Sequence, residues 1–197
     1  MSLWDQRYSE AEHAYGTAPN TFLASVADQL PAGPALCLAS GQGRNAVFLA
    51  ERGHAVTAVD LSQVGLDRSQ ELAAARGVAI TTVCGDLSAY DLGEARWSVI
   101  VLIFAHMPPS FRRDLHQRCV RALAPGGLLV LEAYTPRQLA HGTGGPPVAP
   151  MLYEPEQLRE DFAGLQLERL EELEREVAEG QYHNGLGAVV QVLARRA

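Results

Sequence analysis

A glycine-rich loop after an apolar run is the first candidate ligand-binding feature of this chain. Gly41-Gln-Gly43 follows the run 35–39 and precedes a helix predicted to begin near Arg44. Glycine has no Cβ, so this backbone can turn sharply and a ligand can approach it closely. The first turn of the helix leaves backbone N–H groups without partners, and these favour a carboxylate or phosphate. The loop is therefore a candidate site for an anionic group.

A carboxylate lies where a nucleoside would need one. Asp60 ends the second apolar run, seventeen residues after Gly43. An acid at this strand end can accept hydrogen bonds from both ribose hydroxyls, as in the dinucleotide fingerprint, where the spacing is about 20 residues. The loop and the acid together predict an adenosine-containing cofactor.

The glycine loop alone does not identify that cofactor. Gly41-Gln-Gly43-Arg-Asn-Ala46 fits the G-x-G-x-x-G/A pattern of nicotinamide and flavin enzymes, which keeps a nicotinamide-dependent reductase open. A second acid, Asp86, follows the third predicted strand. Its carboxylate can accept a hydrogen bond from the 6-amino group of adenine.

Two histidines are candidates for proton transfer. His106 follows the fourth predicted strand, at the edge where open sheets bind ligands, and His183 precedes the last strand. Imidazole titrates near neutral pH, so either ring can orient or deprotonate a nucleophile. Each has a structural alternative, a bond to local backbone for His106 and a turn for His183. The remaining histidines are predicted to be solvated: His13, His54, His116 and His141.

Composition and charge limit the possible partners. The 197 residues are enough for a sizeable core, and we expect 1–197 to form a single domain. A net charge of −7 argues against nonspecific nucleic-acid binding. We expect no membrane span, because no apolar run approaches ~20 residues, and no metal site, because Cys-x-x-Cys and His-x-x-x-His spacings are absent. Cys37, Cys84 and Cys119 are predicted to be reduced core thiols of a cytoplasmic protein.

Strands and helices alternate along most of the chain, which predicts a doubly wound α/β fold with a mostly parallel sheet covered on both faces. Predicted strands cover 35–39, 55–59, 80–84, 99–104, 128–134 and 188–194. Predicted helices cover 3–12, 21–30, 44–52, 62–76, 111–123 and 154–162, with Thr21 and Ser62 as N-caps. The region 165–177 fits a helix stripe or a strand. The glycine- and proline-rich segment 142–147 is predicted to be a mobile loop.

The ordered set of motifs resembles the class I S-adenosylmethionine-dependent methyltransferases over nearly the whole chain. Gly41-Gln-Gly43, Asp60, Gly85-Asp86 and Pro125-Gly126-Gly127 occur in that family's order and at its usual spacing. The resemblance implies a seven-stranded Rossmann-like sheet with an antiparallel last strand, a strand over 165–177, and S-adenosyl-L-methionine as cofactor. It also implies the cofactor-binding residues Tyr15, Ala39, Gly41, Gly43, Arg44, Asn45, Asp60, Leu61, Asp86, Leu87 and Phe104.

Both ends of the chain carry a narrower resemblance. Trp4-Asp-Gln-Arg-Tyr8, Tyr15-Gly-Thr-Ala-Pro-Asn20 and Glu179-Gly-Gln-Tyr-His183 are similar to segments of small bacterial tellurite-resistance-type methyltransferases. That likeness implies a small-molecule methyl acceptor: a thiol, a tellurite- or selenite-type oxyanion, or a small metabolite. We expect residues 1–30 and the loop 142–147 to act as lids over the site.

The first strand departs from the broad family. Cys37 stands where an acid is common, Ala39 replaces the first glycine, and Ser40 follows it. These departures keep open a non-catalytic protein that binds S-adenosylmethionine or S-adenosylhomocysteine. Tyr134 and Tyr153 are candidates, with Tyr15, for walls of the site, because aromatic faces attract the sulfonium cation.

Overall fold

The computed structural model describes residues 3–10 and 13–197, so positions 11 and 12 of the predicted first helix lie outside the described residues. The strands are β1 (Pro34–Leu38), β2 (Ala55–Asp60), β3 (Thr81–Cys84), β4 (Trp97–Ile103), β5 (Leu123–Tyr134), β6 (Gln166–Ala178) and β7 (Asn184–Arg195). The α-helices are α1 (Leu3–Glu10), α2 (Thr21–Val26), α3 (Arg44–Glu51), α4 (Gln63–Ala75), α5 (Pro109–Ala122) and α6 (Pro155–Asp161). None of the helices in this part of the chain is long and apolar enough to cross a membrane.

The strands form one seven-stranded sheet in the order β3-β2-β1-β4-β5-β7-β6. The neighbours from β3 to β5 pair in parallel, and β7 runs antiparallel to both β5 and β6. This confirms the predicted fold class and its antiparallel last strand. It also confirms the strand interpretation of 165–177, because β6 covers all of this range except its first residue.

Helices cover both faces of the sheet, because the inner strands are apolar on both sides. Leu36 and Ile100 pack with α5 and α6, whereas their neighbours Ala35 and Val99 pack with α2, α3 and α4. Side chains that follow one another in a strand point to opposite faces, so a strand that is apolar throughout must be buried on both sides. The two cores fix the strands whose ends form the site.

The N-cap of the second helix lies one residue earlier than the sequence predicts. Asn20, and not the predicted Thr21, is the N-cap, because its side-chain oxygen accepts a hydrogen bond from the N–H of Leu23 at 3.0 Å. A 3-10 turn over 27–29 ends the helix, which is therefore shorter than predicted. Ser62 caps α4 as predicted.

The fifth strand begins at Leu123, earlier than predicted, and includes the Pro125-Gly126-Gly127 segment. A register shift against β4 between Trp97 and Val99 accommodates these residues. Gly126 adopts φ 77° and its N–H donates to the carbonyl of Arg196 at 2.8 Å, so the segment is held by the end of the chain rather than forming a free turn.

Two predictions about exposure are wrong. His116 was expected to be solvated, but it is fully buried because α5 packs on α6, where its Nδ1 lies 2.9 Å from Asp161 Oδ2 and its ring stacks on Phe162. Cys84 was expected in the core, but it is exposed at the end of β3, which is an edge strand. Cys37 and Cys119 are buried free thiols, as predicted.

Candidate active site

The carboxyl ends of the strands surround a cavity of about 660 Å³. It lies where the strand order reverses, between β1 and β4, which is the ligand-binding position of open α/β sheets. We call one wall the β1–β3 side; it consists of 39–41, Asp60, Leu61 and 85–87. We call the opposite wall the β4–β7 side; it consists of 103–107, Phe111, 144–147, Met151, Tyr182 and His183. Gly43 does not line the cavity, whereas every other predicted cofactor-binding residue and both candidate histidines do.

The turn after β1 has the conformation of a glycine although Ala39 stands there. Ala39 adopts φ 50°, in the left-handed region that glycine enters without strain. Gly43 adopts φ 82° at the start of α3, and a Cβ there would lie 2.0 Å from Ser69 Oγ. Gly43 is therefore needed for the packing of α3 on α4, and its contact with a ligand stays a prediction.

Asp60 joins the glycine loop to the start of α4. Its Oδ2 accepts a hydrogen bond from the N–H of Gly41 at 2.7 Å, and its Oδ1 accepts one from the N–H of Ser62 at 2.9 Å. Desolvation raises the pKa of this buried carboxyl, although these backbone donors oppose the rise. Each carboxylate oxygen can accept more than one hydrogen bond, so the contacts orient the group and leave lone pairs for the hydroxyls of a ligand.

Asp86 is exposed at the far end of the same wall. Its Oδ1 accepts a hydrogen bond from the N–H of Ser88 at 2.8 Å, and this bond lowers the pKa of the carboxyl. Beside it lie Leu87, which is buried, and Leu61, which is 55% exposed. An uncovered leucine next to an acceptor oxygen suits a flat apolar ring that carries an amino group.

The donor and acceptor atoms on this wall fit the adenosine-containing cofactor expected from the sequence. Asp60 and Asp86 supply acceptors for the hydroxyl and amino donors of adenosine. The Ser40 hydroxyl, beside Ala39, is buried with no hydrogen-bond partner in the described part of the chain, and Ser40 lines the cavity. Buried polar atoms are normally paired, so an orphaned hydroxyl at this position is consistent with a polar ligand group. No group of three or more metal-ligating side chains occurs within residues 3–10 and 13–197.

A buried ion cluster joins the glycine loop to the hairpin of β6 and β7. Arg44, at the start of α3, pairs with Glu179, which lies between these two strands. Arg175 of β6 donates to Glu179 Oε1 and to Glu132 Oε1 of β5, both at 2.7 Å. Asn20 Nδ2 lies 3.0 Å from Glu179 Oε1 and 3.3 Å from Glu132 Oε2. Two arginines and two glutamates therefore balance one another inside the protein.

The two carboxylates of this cluster differ in pKa. Desolvation dominates at Glu132 and raises its pKa. At Glu179 the charges of Arg44 and Arg175 outweigh desolvation, and the pKa is lowered. Such buried pairs contribute little net stability, but loss of one partner leaves an uncompensated charge. The cluster therefore serves to fix the position of Glu179, which begins the turn that ends at His183.

The N-terminal segment is tied across the mouth of the cavity. The N–H of Ala14 donates to Gln42 Oε1 at 2.7 Å, and its carbonyl accepts from the N–H of Gln181 at 2.9 Å. The N–H of Asn20 donates to Asn45 Oδ1 at 2.9 Å. Asn45 thus anchors this segment as well as lining the cavity.

Arg7 and Tyr15 extend this cover. The guanidinium carbon of Arg7 lies 5.2 Å from the ring centroid of Trp4 and 4.7 Å from that of Tyr182. Arg7 also donates a hydrogen bond to Tyr15 Oη at 2.9 Å. These contacts place one arginine among three aromatic rings at the N-terminal side of the cavity.

His183 lies within an aromatic cluster that faces the cavity. The centroid of its ring is 4.7 Å from that of Tyr15, 4.5 Å from that of Phe104 and 5.3 Å from that of Tyr134. It is 8% exposed, and its Nδ1 has no hydrogen-bond partner among the described residues. Desolvation, aided by the charge of Arg44, lowers the pKa of His183 to about 3, so the ring is neutral at neutral pH. A neutral imidazole with an unpartnered nitrogen can accept a hydrogen bond from a ligand.

His106 lines the same cavity, but both of its ring nitrogens are bonded to backbone. Nδ1 lies 2.9 Å from the carbonyl oxygen of Met151, and Nε2 accepts a hydrogen bond from the N–H of Tyr134 at 3.2 Å. Desolvation lowers the pKa of His106 to about 4. With one nitrogen donating and the other accepting, neither is available to a nucleophile. The predicted catalytic role does not fit this geometry, and the structural alternative does.

Of the three tyrosines predicted to wall the site, Tyr15 lines the cavity, whereas Tyr134 and Tyr153 lie behind its surface and are fully buried. Tyr134 stacks on Phe104 with the ring centroids 4.6 Å apart. Tyr153 Oη donates to the carbonyl of Ala105 at 2.6 Å and accepts from the N–H of residue 107 at 3.0 Å. These two rings support the β4–β7 side from within the protein.

Hydrogen bonds tie the loop 142–147, which the sequence predicts to be mobile, to the sheet and to the 3-10 turn before it. Thr143 Oγ1 donates to the carbonyl of Leu186 at 2.6 Å and accepts from Gln138 Nε2 at 2.9 Å. Gly144 packs so closely on the aromatic cluster that a Cβ there would lie 3.0 Å from His183 Cδ2. The loop therefore forms a fixed part of the β4–β7 side.

Several residues that shape the site were not singled out from the sequence. Glu132 had a visible signal, because it is an acid within the apolar run 128–134 and a buried acid needs partners. Glu179 belongs to a motif in which only His183 was assigned a role. Arg175 and Gln42 carry no local signal, because their partners are distant in sequence.

Comparison with known proteins supports a methyltransferase domain. Residues 35–127 match a family model described as a methyltransferase domain. A 2-heptyl-1-hydroxyquinolin-4(1H)-one methyltransferase of Mycobacteroides abscessus is 31% identical over 117 residues, which are 58% of this chain and 52% of the relative. A tRNA 5-carboxymethoxyuridine methyltransferase of Escherichia coli is 33% identical over 105 residues, 52% of this chain and 39% of the relative. The matches thus span about half or less of the length of these curated relatives.

Solved structures share the fold along nearly the whole chain. A structure reported for the conversion of a disulfide bond into a thioacetal group during echinomycin biosynthesis has a TM-score of 0.79 at 22% identity, and covers 98% of this chain and 90% of its own. TehB from Haemophilus influenzae has a TM-score of 0.76 at 19% identity, and the alignment covers 92% of this chain and 64% of the TehB chain. At these identities the likeness concerns the fold. The shared fold and the match over residues 35–127 support a class I S-adenosylmethionine-dependent methyltransferase domain in this chain.

Proposed function

We propose that this protein transfers the methyl group of S-adenosylmethionine to a small-molecule nucleophile. The observation that carries the proposal is the shared cavity, because the carboxylates of Asp60 and Asp86 line the same space as the unpartnered imidazole of His183. When bound, the cofactor supplies an electrophilic methyl group on a sulfonium sulfur. The remaining task of the chain is to hold this group and a nucleophile in line, with the reacting atoms ~3–3.5 Å apart.

The β1–β3 side is assigned to cofactor binding. Asp60 would accept hydrogen bonds from the ribose hydroxyls, and Asp86 would accept one from the amino group of adenine. The exposed Leu61 would lie against the adenine ring. Tyr15 and Phe104 present aromatic surface between this wall and His183. The N-terminal segment covers the bound molecule and excludes water, in the role of a lid.

His183 is assigned to the nucleophile. Its ring is neutral at neutral pH, so it can accept the hydrogen bond of a hydroxyl or thiol and orient that group toward the methyl carbon. A pKa of about 3 makes it a weak base. We therefore expect it to take the proton late, because a hydroxyl or thiol proton becomes far more acidic as the new bond to carbon forms. A nucleophile that is already anionic does not need this step.

Specific observations weigh against three alternatives. The altered first strand suggests a non-catalytic binding protein, but Ala39 adopts the left-handed backbone that a glycine would adopt without strain. A nicotinamide-dependent reductase is disfavoured by the match to a methyltransferase domain over the glycine loop itself. A tRNA acceptor, as named for one relative, fits poorly with the net charge of −7.

The free thiols Cys37, Cys84 and Cys119 are consistent with a reducing compartment, so we propose a cytoplasmic location.

Calorimetric titration with S-adenosylmethionine, S-adenosylhomocysteine and NADH tests cofactor binding. We expect the two sulfur compounds to bind and Asp60→Asn to weaken S-adenosylhomocysteine roughly 10- to 100-fold, because hydrogen bonds to a charged group are lost. Asp67→Asn is the control, since Asp67 is exposed on α4 and accepts a hydrogen bond from Gln63. Binding of NADH alone would contradict the proposal.

Catalysis is tested by the release of S-adenosylhomocysteine in the presence of thiols, phenols and oxyanions. For a phenol we expect His183→Gln to lower kcat about 100-fold or more while binding of S-adenosylhomocysteine is retained. Binding of the cofactor with no turnover of any acceptor would favour the non-catalytic alternative.

A further inference from the structure

The β4–β7 side of the cavity is apolar over most of its surface. The residues that line the cavity there include Phe104, Met107, Phe111, Pro146, Pro147 and Met151. Two thioethers and two aromatic rings form a polarizable surface that adapts to a flat ring. The two histidines of this wall, His106 and His183, have pKa values lowered by desolvation to about 4 and about 3, so both are neutral at neutral pH.

The positively charged side chains that line the cavity among the described residues are arginines of α1 and α3, and they come from outside the β4–β7 side. Arg44 lines it from α3, but its charge is balanced by Glu179. Arg7 also lines the cavity, from α1, where its guanidinium lies against the rings of Trp4 and Tyr182 and donates to Tyr15 Oη. An oxyanion held against Met107, Phe111 and Met151 would lose hydration there, because these three side chains carry no charge and no hydrogen-bond donor, and burial of an unpaired charge is strongly unfavourable.

We propose that the methyl acceptor is an uncharged, largely apolar aromatic molecule that carries one thiol or hydroxyl group. Its ring lies against Met107, Met151 and Phe111, and its S–H or O–H points to His183. This inference rests on the proposed function and names the class of its acceptor. It excludes tellurite- and selenite-type oxyanions, which the sequence left open.

The reaction balances with the groups already named. The proton of the acceptor passes to His183, and the acceptor sulfur or oxygen forms a bond to the methyl carbon. The bond between that carbon and the sulfonium sulfur breaks, and its electron pair stays on sulfur, which becomes a neutral thioether. The products are a methyl thioether or methyl ether, S-adenosylhomocysteine and a proton that His183 returns to solvent.

A matched pair of acceptors tests the inference. 4-Methylbenzenethiol and 4-mercaptobenzoate share the ring and the thiol, and differ by one para charge. We expect kcat/KM to be at least about tenfold higher for 4-methylbenzenethiol, because the carboxylate would be buried without a partner. Equal or better turnover of 4-mercaptobenzoate, or methylation of tellurite at a similar rate, would overturn the inference and leave the proposed function intact.

A charge placed in the wall should reverse this preference. Met151→Lys supplies a cation at a half-buried position of the β4–β7 side, so we expect it to raise turnover of 4-mercaptobenzoate relative to 4-methylbenzenethiol by at least about tenfold. Leu139→Lys is the control, because Leu139 is 48% exposed and does not line the cavity. Phe111→Lys replaces Met151→Lys if the latter fails to show a cooperative thermal transition. An unchanged ratio in a folded wall variant would contradict the inference.

Binding of the methylated products separates this inference from catalysis. Calorimetry with methyl 4-tolyl sulfide and 4-(methylthio)benzoate needs no turnover, and it is run with and without S-adenosylhomocysteine. Tenfold tighter binding of the neutral sulfide supports the inference even if no acceptor is methylated. Equal binding of the two, or tighter binding of the benzoate, overturns it even if the protein proves to be a methyltransferase.

Discussion

The two walls of the cavity are held in different ways. On the β1–β3 side, the carboxylate of Asp60 is fixed by the N–H groups of Gly41 and Ser62, which belong to turns at the ends of adjacent strands. On the β4–β7 side, His183 is held by rings and charges from many parts of the chain, and Glu179 is paired with Arg44. Backbone N–H donors are retained when a side chain is substituted. A wall built from side chains changes its shape when any one of them is replaced. Changes on the second wall should therefore affect turnover without affecting the cofactor, except where the ion cluster joins the two.

The largest effect is expected from Glu179→Gln, which breaks that junction. It leaves Arg44 and Arg175 sharing one carboxylate in a buried place, and removing one partner of a buried pair costs about 3–5 kcal/mol. Urea unfolding measures the loss. Titration with S-adenosylhomocysteine should also show weaker binding, because Arg44 lies beside the glycine loop.

The control for this variant is Glu160→Gln. Glu160 pairs with Arg113 where both side chains are more than half exposed, and such pairs contribute about 0–1 kcal/mol. If the two variants lose similar stability, the buried cluster does not hold the walls together.

Gly144→Ala should damage the β4–β7 side alone. The new Cβ would lie 2.7 Å from Tyr134 Oη and 3.0 Å from His183 Cδ2, and the fully buried Tyr134 cannot move away. We expect His183 to shift and kcat to fall roughly 10- to 100-fold, while the Kd of S-adenosylhomocysteine stays within about twofold. Gly142→Ala is the matched control in the same loop, since Gly142 also has a positive φ but no atom within 4 Å of an added Cβ. Equal losses in the two variants would assign the effect to backbone strain.

The pH dependence of stability should show that His183 is buried as the neutral ring. Its pKa in the folded protein is about 3, whereas histidine in an unfolded chain titrates near about 6.5, so the unfolded state binds more protons between these values. Stability is therefore full above the unfolded pKa and falls as pH is lowered, by about 1.4 kcal/mol per pH unit for this group.

His183→Gln removes this contribution. We expect the difference in free energy of unfolding between the variant and the parent to be constant above pH 7. Between pH 6 and pH 4.5 the variant should become more stable relative to the parent, because it lacks the group that takes up a proton on unfolding. Urea titrations at several pH values measure the difference. A difference that does not change with pH would mean that the ring is charged or solvated in the folded protein.

The smallest effect is expected from Ala39→Gly on the β1–β3 side. Relief of the left-handed backbone at φ 50° should outweigh the added chain entropy and stabilise the protein by about 0.5–1 kcal/mol. Removal of the methyl group from the cavity wall should also tighten binding of S-adenosylhomocysteine. Ala95→Gly is the control, because Ala95 has φ 46° and does not line the cavity, so it should gain stability without a change in affinity.

The same contrast explains what the sequence could predict. The β1–β3 side follows from short runs, each a strand that ends in a turn with a glycine or an acid, so Asp60 and Asp86 could be assigned from position alone. The packing role of Gly43 could not be predicted, because its need for φ 82° and for space beside Ser69 depends on a helix that comes later in the chain.

The β4–β7 side could be predicted only in part. His106 and His183 were equal candidates in the sequence, since both precede or follow a strand. Their difference lies in the carbonyl of Met151, 45 residues away, which occupies one nitrogen of His106. The pinned loop depends in the same way on Thr143 reaching Leu186, which is 43 residues further along the chain. Contacts of this kind have no signature in a local pattern.

The ion cluster determines how late in synthesis and folding the site can be completed. Its contacts have long sequence separations, 135 residues between Arg44 and Glu179 and 159 between Asn20 and Glu179. Chain segments so far apart meet late in folding, because closing a long loop costs entropy before the contact forms. During synthesis the glycine loop leaves the ribosome long before the residues that neutralise Arg44. The site is therefore completed by the last hairpin, and a nascent chain that ends before Glu179 carries the glycine loop with an unpaired arginine beside it.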